Sequence, residues 1–180
     1  GGKAPILEGA LLSSVIVLGV TPLVEVAFGY ITDIKLVELS NLEHPLLKQM
    51  IISAPGTYHH SIVVGTLAEA GSTAIGVNPL LARVSSYYHD IGKINKPNYY
   101  IENIRNERNP HDKLTPHMSG LIIISHVKEG VDMGRKYRLG SEIIDIIRQH
   151  HGTHLMNFFY QKAKESGDPG ENPVNEKDFR

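Results

Sequence analysis

Histidines in this chain gather where apolar runs stop. The stretch "SSYYHDIGKINKPNYY", residues 85–100, ends the run from Leu80 to Tyr88 with His89 beside Asp90, then Gly92 and Lys93. His59 and His60 open another run, His150 and His151 end a third, and His126 lies late in a fourth. Burying an imidazole or a carboxylate is costly unless it is hydrogen-bonded, paired or bound to a metal. Any one of these histidines alone is accounted for by a hydrogen bond or by solvent. Two doublets and a His-Asp pair, each abutting an apolar run, are hard to explain by core packing. Facing helices that point imidazoles and a carboxylate into a shared core make a metal site.

The composition limits which metal and which partner. The chain has no cysteine, which removes disulfides, thiolate chemistry and cysteine-based zinc sites. Nitrogen and oxygen donors remain, and they suit manganese, iron, magnesium or His-rich zinc sites. With 18 Lys+Arg against 19 Asp+Glu the net charge is −1. That balance argues against a long nucleic acid held by a basic stripe, but leaves room for a small nucleotide held by a few local groups.

The elements that must carry these residues read as helices. "DIKLVELSNLEHPLLKQMI" is a connector helix broken near Ser40, Asn41 and Pro45, followed by a short docking helix. "APGTYHHSIVVGTLAEAGSTAIG" opens on a Pro-Gly turn, with Thr57 as its N-cap. "NPLLARVSSYYHDIG" has Asn78 as cap, Pro79 at the first helical position and Gly92 as its stop. Residues 93–116 are polar and read as a long functional loop. "HMSGLIIISHVKEG" is taken as a helix because its neighbours are helical, and "GSEIIDIIRQHHG" is a helix capped by Ser141. From Glu165 the chain is polar and reads as a crossing loop or a disordered tail. The fold class is all-α.

The N-terminal segment stands apart. "GALLSSVIVLGVTPLV" between Glu8 and Glu25 carries no charge, just short of the roughly 18–20 residues of a full span; Ile6 to Phe28 is long enough. Gly19 and Pro22 are poor choices inside a soluble helix. A transmembrane helix is expected here, with a buried core helix as the alternative.

"HHS", "HDIGK", "SHV" and "QHHG", in that order, resemble the signature of HD-domain metal-dependent phosphohydrolases, and most closely those with two metals. The connector "FGYITDIKLVELSNLEHPLLKQMIISAPGTYHHS" after an apolar segment is similar to the seven-transmembrane HD family, the PgpH-type phosphodiesterases that hydrolyse cyclic di-AMP. The resemblance implies a last transmembrane helix over 1–30, connector helices over 31–56, an HD helical bundle over 57–164 and a tail over 165–180. It implies a bacterial cell membrane location with the catalytic domain facing the cytoplasm. The family also has a final aspartate ligand on a further helix, which Asp168 and Asp178 do not replace. The C-terminal part of the domain is therefore expected to be missing from this chain.

Carried over by position, the resemblance makes His60, His89, Asp90, His126, His150 and His151 the metal ligands. Asp90 would bridge two divalent ions, manganese or iron, with magnesium possible: one held with His60 and His89, the other with His126, His150 and His151. Lys93 would meet a phosphate as a point charge. The implied substrate is cyclic di-AMP and the product linear 5′-pApA. Tyr99 and Tyr100 could stack an adenine, or anchor their loop like ordinary packed aromatics. A nucleotide-sensing module that does not cut, and another HD-type reaction on a nucleotide or by di-iron oxygenation, are the alternatives. Oligomeric state is not readable.

Overall fold

The computed structural model describes residues 3–28, 30–104, 108–166 and 174–180. Among the described residues the chain forms helices and 3-10 turns, with no strand. The helices are α1 (Lys3–Phe28), α2 (Asp33–Leu39), α3 (Pro45–Ser53), α4 (Pro55–Ala74), α5 (Pro79–Tyr88), α6 (Pro116–Lys136), α7 (Ser141–Gln149) and α8 (Asn157–Ser166).

A repeated local device starts several of them. A side-chain acceptor precedes a proline, so the chain enters the helix with one amide satisfied and φ already set. His44 precedes Pro45 and accepts from Leu46 N, Asn78 precedes Pro79 and accepts from Leu81 N, and Thr115 precedes Pro116 and accepts from Met118 N. Two expected caps are displaced. Thr57 lies inside α4, which starts at Pro55 after Ala54, and Ser141 is the first residue of α7, after Gly140. In both cases the residue before the helix has already left helical geometry, Ala54 at φ −136° and ψ 63° and Gly140 at φ +96°.

The core lies between these helices. Leu36 and Leu39 of α2, Leu46, Leu47 and Met50 of α3, Val84 and Tyr88 of α5, and Ile143 and Ile147 of α7 are fully or almost fully buried together. Tyr88 closes this cluster with its hydroxyl, which donates to Leu39 O at 2.7 Å. The stretch 93–116 is not one irregular loop. It runs through short 3-10 turns at Ile91–Asn95, Pro97–Tyr99, Ile101–Asn103 and Pro110–Lys113.

Gly92 is not the helix stop that the pattern suggests, because α5 ends at Tyr88 and Gly92 lies in the first of these turns. Its role is close approach. A Cβ at Gly92 would fall 1.9 Å from His126 O and 2.6 Å from Gly130 N, so only glycine lets the turn after α5 touch the α6 backbone. That contact brings Asp90 beside His126.

The described end of the tail packs down. Glu176–Phe179 forms a 3-10 turn, Phe179 is fully buried, and its carbonyl accepts from Met156 N at 2.9 Å. The disordered reading does not hold for this part; residues 167–173, including Asp168, lie outside the described residues. At the other end, the large apolar side chains given for α1, from Ile6 to Val24, are exposed. Among the described residues no helix is long and apolar enough to cross a membrane.

Candidate metal centre

Asp90 is the hub of the site and is 2% exposed. It follows α5, where the chain leaves the helix and turns towards α6. From α6 comes His126, 1% exposed. His150 is the C-terminal cap of α7 and His151 begins the turn after it; Gly152, at φ +56°, lets the chain swing so that both rings face the same point. α4 contributes His60, and His89 is the C-terminal cap of α5.

The ligand atoms fall into two groups that share Asp90. Asp90, His126, His150 and His151 form one, and His60, His89 and Asp90 the other, with the candidate donor atoms of each group within 4.8 Å of one another. All six residues expected as ligands from the sequence are thus brought together. His59 is exposed and joins neither group. His44 caps α3, and His111 is buried with its Nε2 donating to Tyr99 O at 2.9 Å. His117 packs its ring against Phe179, and His154 is exposed.

The hydrogen bonds of the rings show what the cluster suits. His89 Nδ1 lies 2.7 Å from Ser86 O and His150 Nδ1 2.8 Å from Ile147 O; His126 Nδ1 makes the same bond to Ile123 O. A carbonyl only accepts, so each Nδ1 carries the proton and each neutral ring presents a lone pair at Nε2. Those lone pairs converge. His126 Nε2 is 3.3 Å from His150 Nε2, 3.1 Å from His151 Nε2 and 3.3 Å from Asp90 Oδ1. Asp90 Oδ1 is buried without a hydrogen-bond partner. Acceptors facing acceptors at these distances repel unless a cation or added protons lie among them, so the residues fit a divalent ion.

The electrostatics of the site follow from the same packing. His151 is held down to about 4 by burial and then by the neighbouring His150 and His126. Burial also lowers His126, against the opposing pull of its carbonyl bond and of Asp90. For His89 burial works downwards too, but Asp90, with Oδ2 3.1 Å from its Nε2, outweighs it and the net shift is upward. Burial would raise Asp90, yet contacts from His150 and His89 and the Lys93 charge drive it well below the usual carboxylate range. Metal binding would release the protons that these donors carry.

Lys93 lies one turn beyond Asp90. Its Nζ is 2.8 Å from Asp90 Oδ2 and 2.9 Å from Glu102 Oε1, and it sits 5.1 Å from the centroid of the Tyr100 ring. Tyr100 is 5% exposed and packs edge-on against His126, so its ring has no open face for a base; Tyr99 is half-buried against His111. Tyr100 thus takes the packing role that stood as the alternative to stacking. Glu102 was passed over in the sequence. Its separation from Lys93 follows no helical or strand period, and no motif marks it.

The HD domain family model matches residues 57–177. The cyclic-di-AMP phosphodiesterase PgpH of Bacillus subtilis (strain 168) is 51% identical over 168 residues, covering 93% of this chain and 23% of that protein. The protein of the same name from Listeria monocytogenes serotype 1/2a (strain 10403S) is 51% identical over 164 residues, 91% of this chain and 22% of its own length. The chain therefore spans less than a quarter of these curated relatives. The crystal structure of the L. monocytogenes phosphodiesterase PgpH HD domain in complex with cyclic-di-AMP superposes with a TM-score of 0.72 at 50% identity, covering 78% of this chain and 64% of that one. With a helical fold, a His-Asp cluster on adjoining elements and a family match over most of its length, the chain belongs to the HD domain family.

Proposed function

We propose that this chain is the catalytic part of a membrane-tethered phosphodiesterase that hydrolyses cyclic di-AMP to linear 5′-pApA. The observation that carries the reading is the convergence of imidazole lone pairs on a buried Asp90 carboxylate in two groups. Similarity to PgpH proteins, one of them solved with cyclic-di-AMP, supports the substrate.

His60, His89 and Asp90 would hold one divalent ion, and Asp90, His126, His150 and His151 the other, with Asp90 common to both. Such a pair, when bound, supplies the acidified water and the positive charge that phosphodiester hydrolysis needs. Imidazole-rich N/O donors favour manganese or iron, with magnesium less suited. The chain's own groups do the rest. Backbone carbonyls at Ser86, Ile123 and Ile147 orient three of the rings, and burial keeps bulk water from Asp90. Lys93 offers a fixed ammonium to a phosphoryl oxygen.

On this reading residues 57–164 are the catalytic domain, 31–56 the connector, 165–180 a polar loop or tail, and 1–30 the last membrane helix of a bacterial protein whose domain faces the cytoplasm. What supports the membrane placement of residues 1–30 is the resemblance carried by the apolar segment and the connector after it, together with the exposure of the large apolar side chains given for α1.

The test is incubation of the Mn²⁺-loaded chain with cyclic di-AMP, followed by chromatography. Appearance of 5′-pApA, absent with Asp90→Ala, supports the reading. Metal-loaded protein that binds the dinucleotide without cutting it makes the chain a sensing module instead.

A further inference from the structure

The Lys93 ammonium has three N–H donors. Two are committed, to Asp90 Oδ2 at 2.8 Å and to Glu102 Oε1 at 2.9 Å. Around a tetrahedral nitrogen, fixing two N–H directions fixes the third. The ammonium also lies 5.1 Å from the centroid of the Tyr100 ring, a cation–π contact.

Glu102 is itself anchored. Thr57 Oγ1 donates to the same Oε1 at 3.0 Å. Asn103 Nδ2 donates to Thr57 Oγ1 at 2.9 Å, and Asn103 Oδ1 accepts from Thr57 N at 3.1 Å. α4 starts at Pro55 after Ala54, which offers no side-chain cap, so a residue from a distant turn satisfies one of its first amides. Gly56 allows the turn to lie flat on that helix start, since a Cβ there would be 1.8 Å from Glu102 O. The turn Ile101–Asn103 is thus fastened to the helix that carries His60.

We propose that Glu102 is a positioning residue, which holds the Lys93 ammonium away from full collapse onto Asp90 and aims its remaining N–H at a phosphate oxygen of the substrate. The inference rests on the reading of Lys93 as a phosphate contact. A lysine bound to Asp90 alone would pivot about a single bond and screen the carboxylate that both ion groups share. Shared between two carboxylates, it keeps one orientation.

The experiment compares wild type, Glu102→Ala and Glu102→Gln after loading with Mn²⁺. Metal content, affinity for inorganic phosphate by calorimetry, and cyclic di-AMP turnover are measured on each. Glutamine keeps the side-chain oxygen that accepts from Lys93 and Thr57, so it should stay near wild type. Alanine should bind phosphate about 10- to 100-fold more weakly with its metal content unchanged, the range typical of outer-shell partners. Wild-type phosphate affinity in Glu102→Ala, or loss of metal in step with affinity, overturns the proposal. The expected phosphate pattern without turnover by any of the proteins would leave the positioning role standing and remove the substrate reading. Should Glu102→Ala not fold, Thr57→Val removes one anchor of Glu102 at nearly equal volume; phosphate affinity equal to wild type would then count against it.

Discussion

His126 and His151 point their Nε2 atoms at each other from 3.1 Å, one from the middle of α6 and one from the turn after α7. His150 Nε2 also lies 3.3 Å from His126 Nε2. A core packed for its own sake would not face acceptors towards acceptors. Removing the central ring should therefore undo the group it joins. His126→Ala is expected to lose one of two bound Mn²⁺ per chain by elemental analysis while keeping its helical circular dichroism. Full metal content would remove His126 from the ligand set.

Binding that requires the folded arrangement must also stabilise it. At a free Mn²⁺ concentration a hundred times its Kd the gain is about 2.7 kcal/mol, since binding to the native state alone adds RT ln(1 + [L]/Kd). The melting temperature should rise with Mn²⁺ and fall back with a chelator. Asp90→Ala, which takes the shared carboxylate from both groups, should show almost no such rise.

Lys93→Ala should slow hydrolysis of cyclic di-AMP while both metals remain bound, because the ammonium contacts Asp90 Oδ2 and belongs to neither ligand group. If metal is lost with the lysine, its bond to Asp90 holds the site together and the phosphate role fails.

Gly92→Ala tests the close approach that joins the turn after α5 to α6. The new methyl would overlap His126 O and Gly130 N, and the backbone must move to relieve it. A cost of about 3 kcal/mol is expected from overpacking of this kind. Chemical denaturation should read that loss, together with weaker metal binding because the displaced strand of contact carries His126.

His44 makes stability depend on pH away from the metal groups. It accepts from Leu46 N at 3.3 Å, and its ring packs edge-on to Tyr88 and Tyr137. Burial, then the Lys35 charge, lower its pKa from the ordinary 6.5, with Glu38 opposing. The unfolded chain therefore takes up a proton first as pH falls. The His44 contribution is complete above pH 6.5 and shrinks as pH drops through the lowered value. His44→Asn keeps a capping acceptor that does not titrate, so the fall in melting temperature between about pH 8 and about pH 5 should be smaller in that variant. An identical fall in both proteins would show that His44 is not the group responsible.

Much of this was legible along the chain because local rules govern it. Asn78-Pro79 and Pro45 mark helix starts by chemistry that acts within a few residues, and apolar periodicity marks the helices themselves. The family resemblance in "HHS", "HDIGK", "SHV" and "QHHG" pointed to the six residues that the fold gathers. Thr57 and Ser141 were misplaced as caps because the backbone of the preceding turn, not the nearest hydroxyl, decides where a helix begins. The tail was misread in part since one buried Phe179 outweighs a polar composition around it.

What the sequence determined by itself is the set of groups, their helical setting and the absence of thiolate ligands, since residue type and short-range spacing suffice for these. Only the tertiary structure decided which lone pairs meet. Gly92 against His126, Asn103 on Thr57 and Glu102 on Lys93 are contacts between segments whose separation carries no periodic signal, formed because close packing of α4, α5 and α6 leaves those groups facing one another.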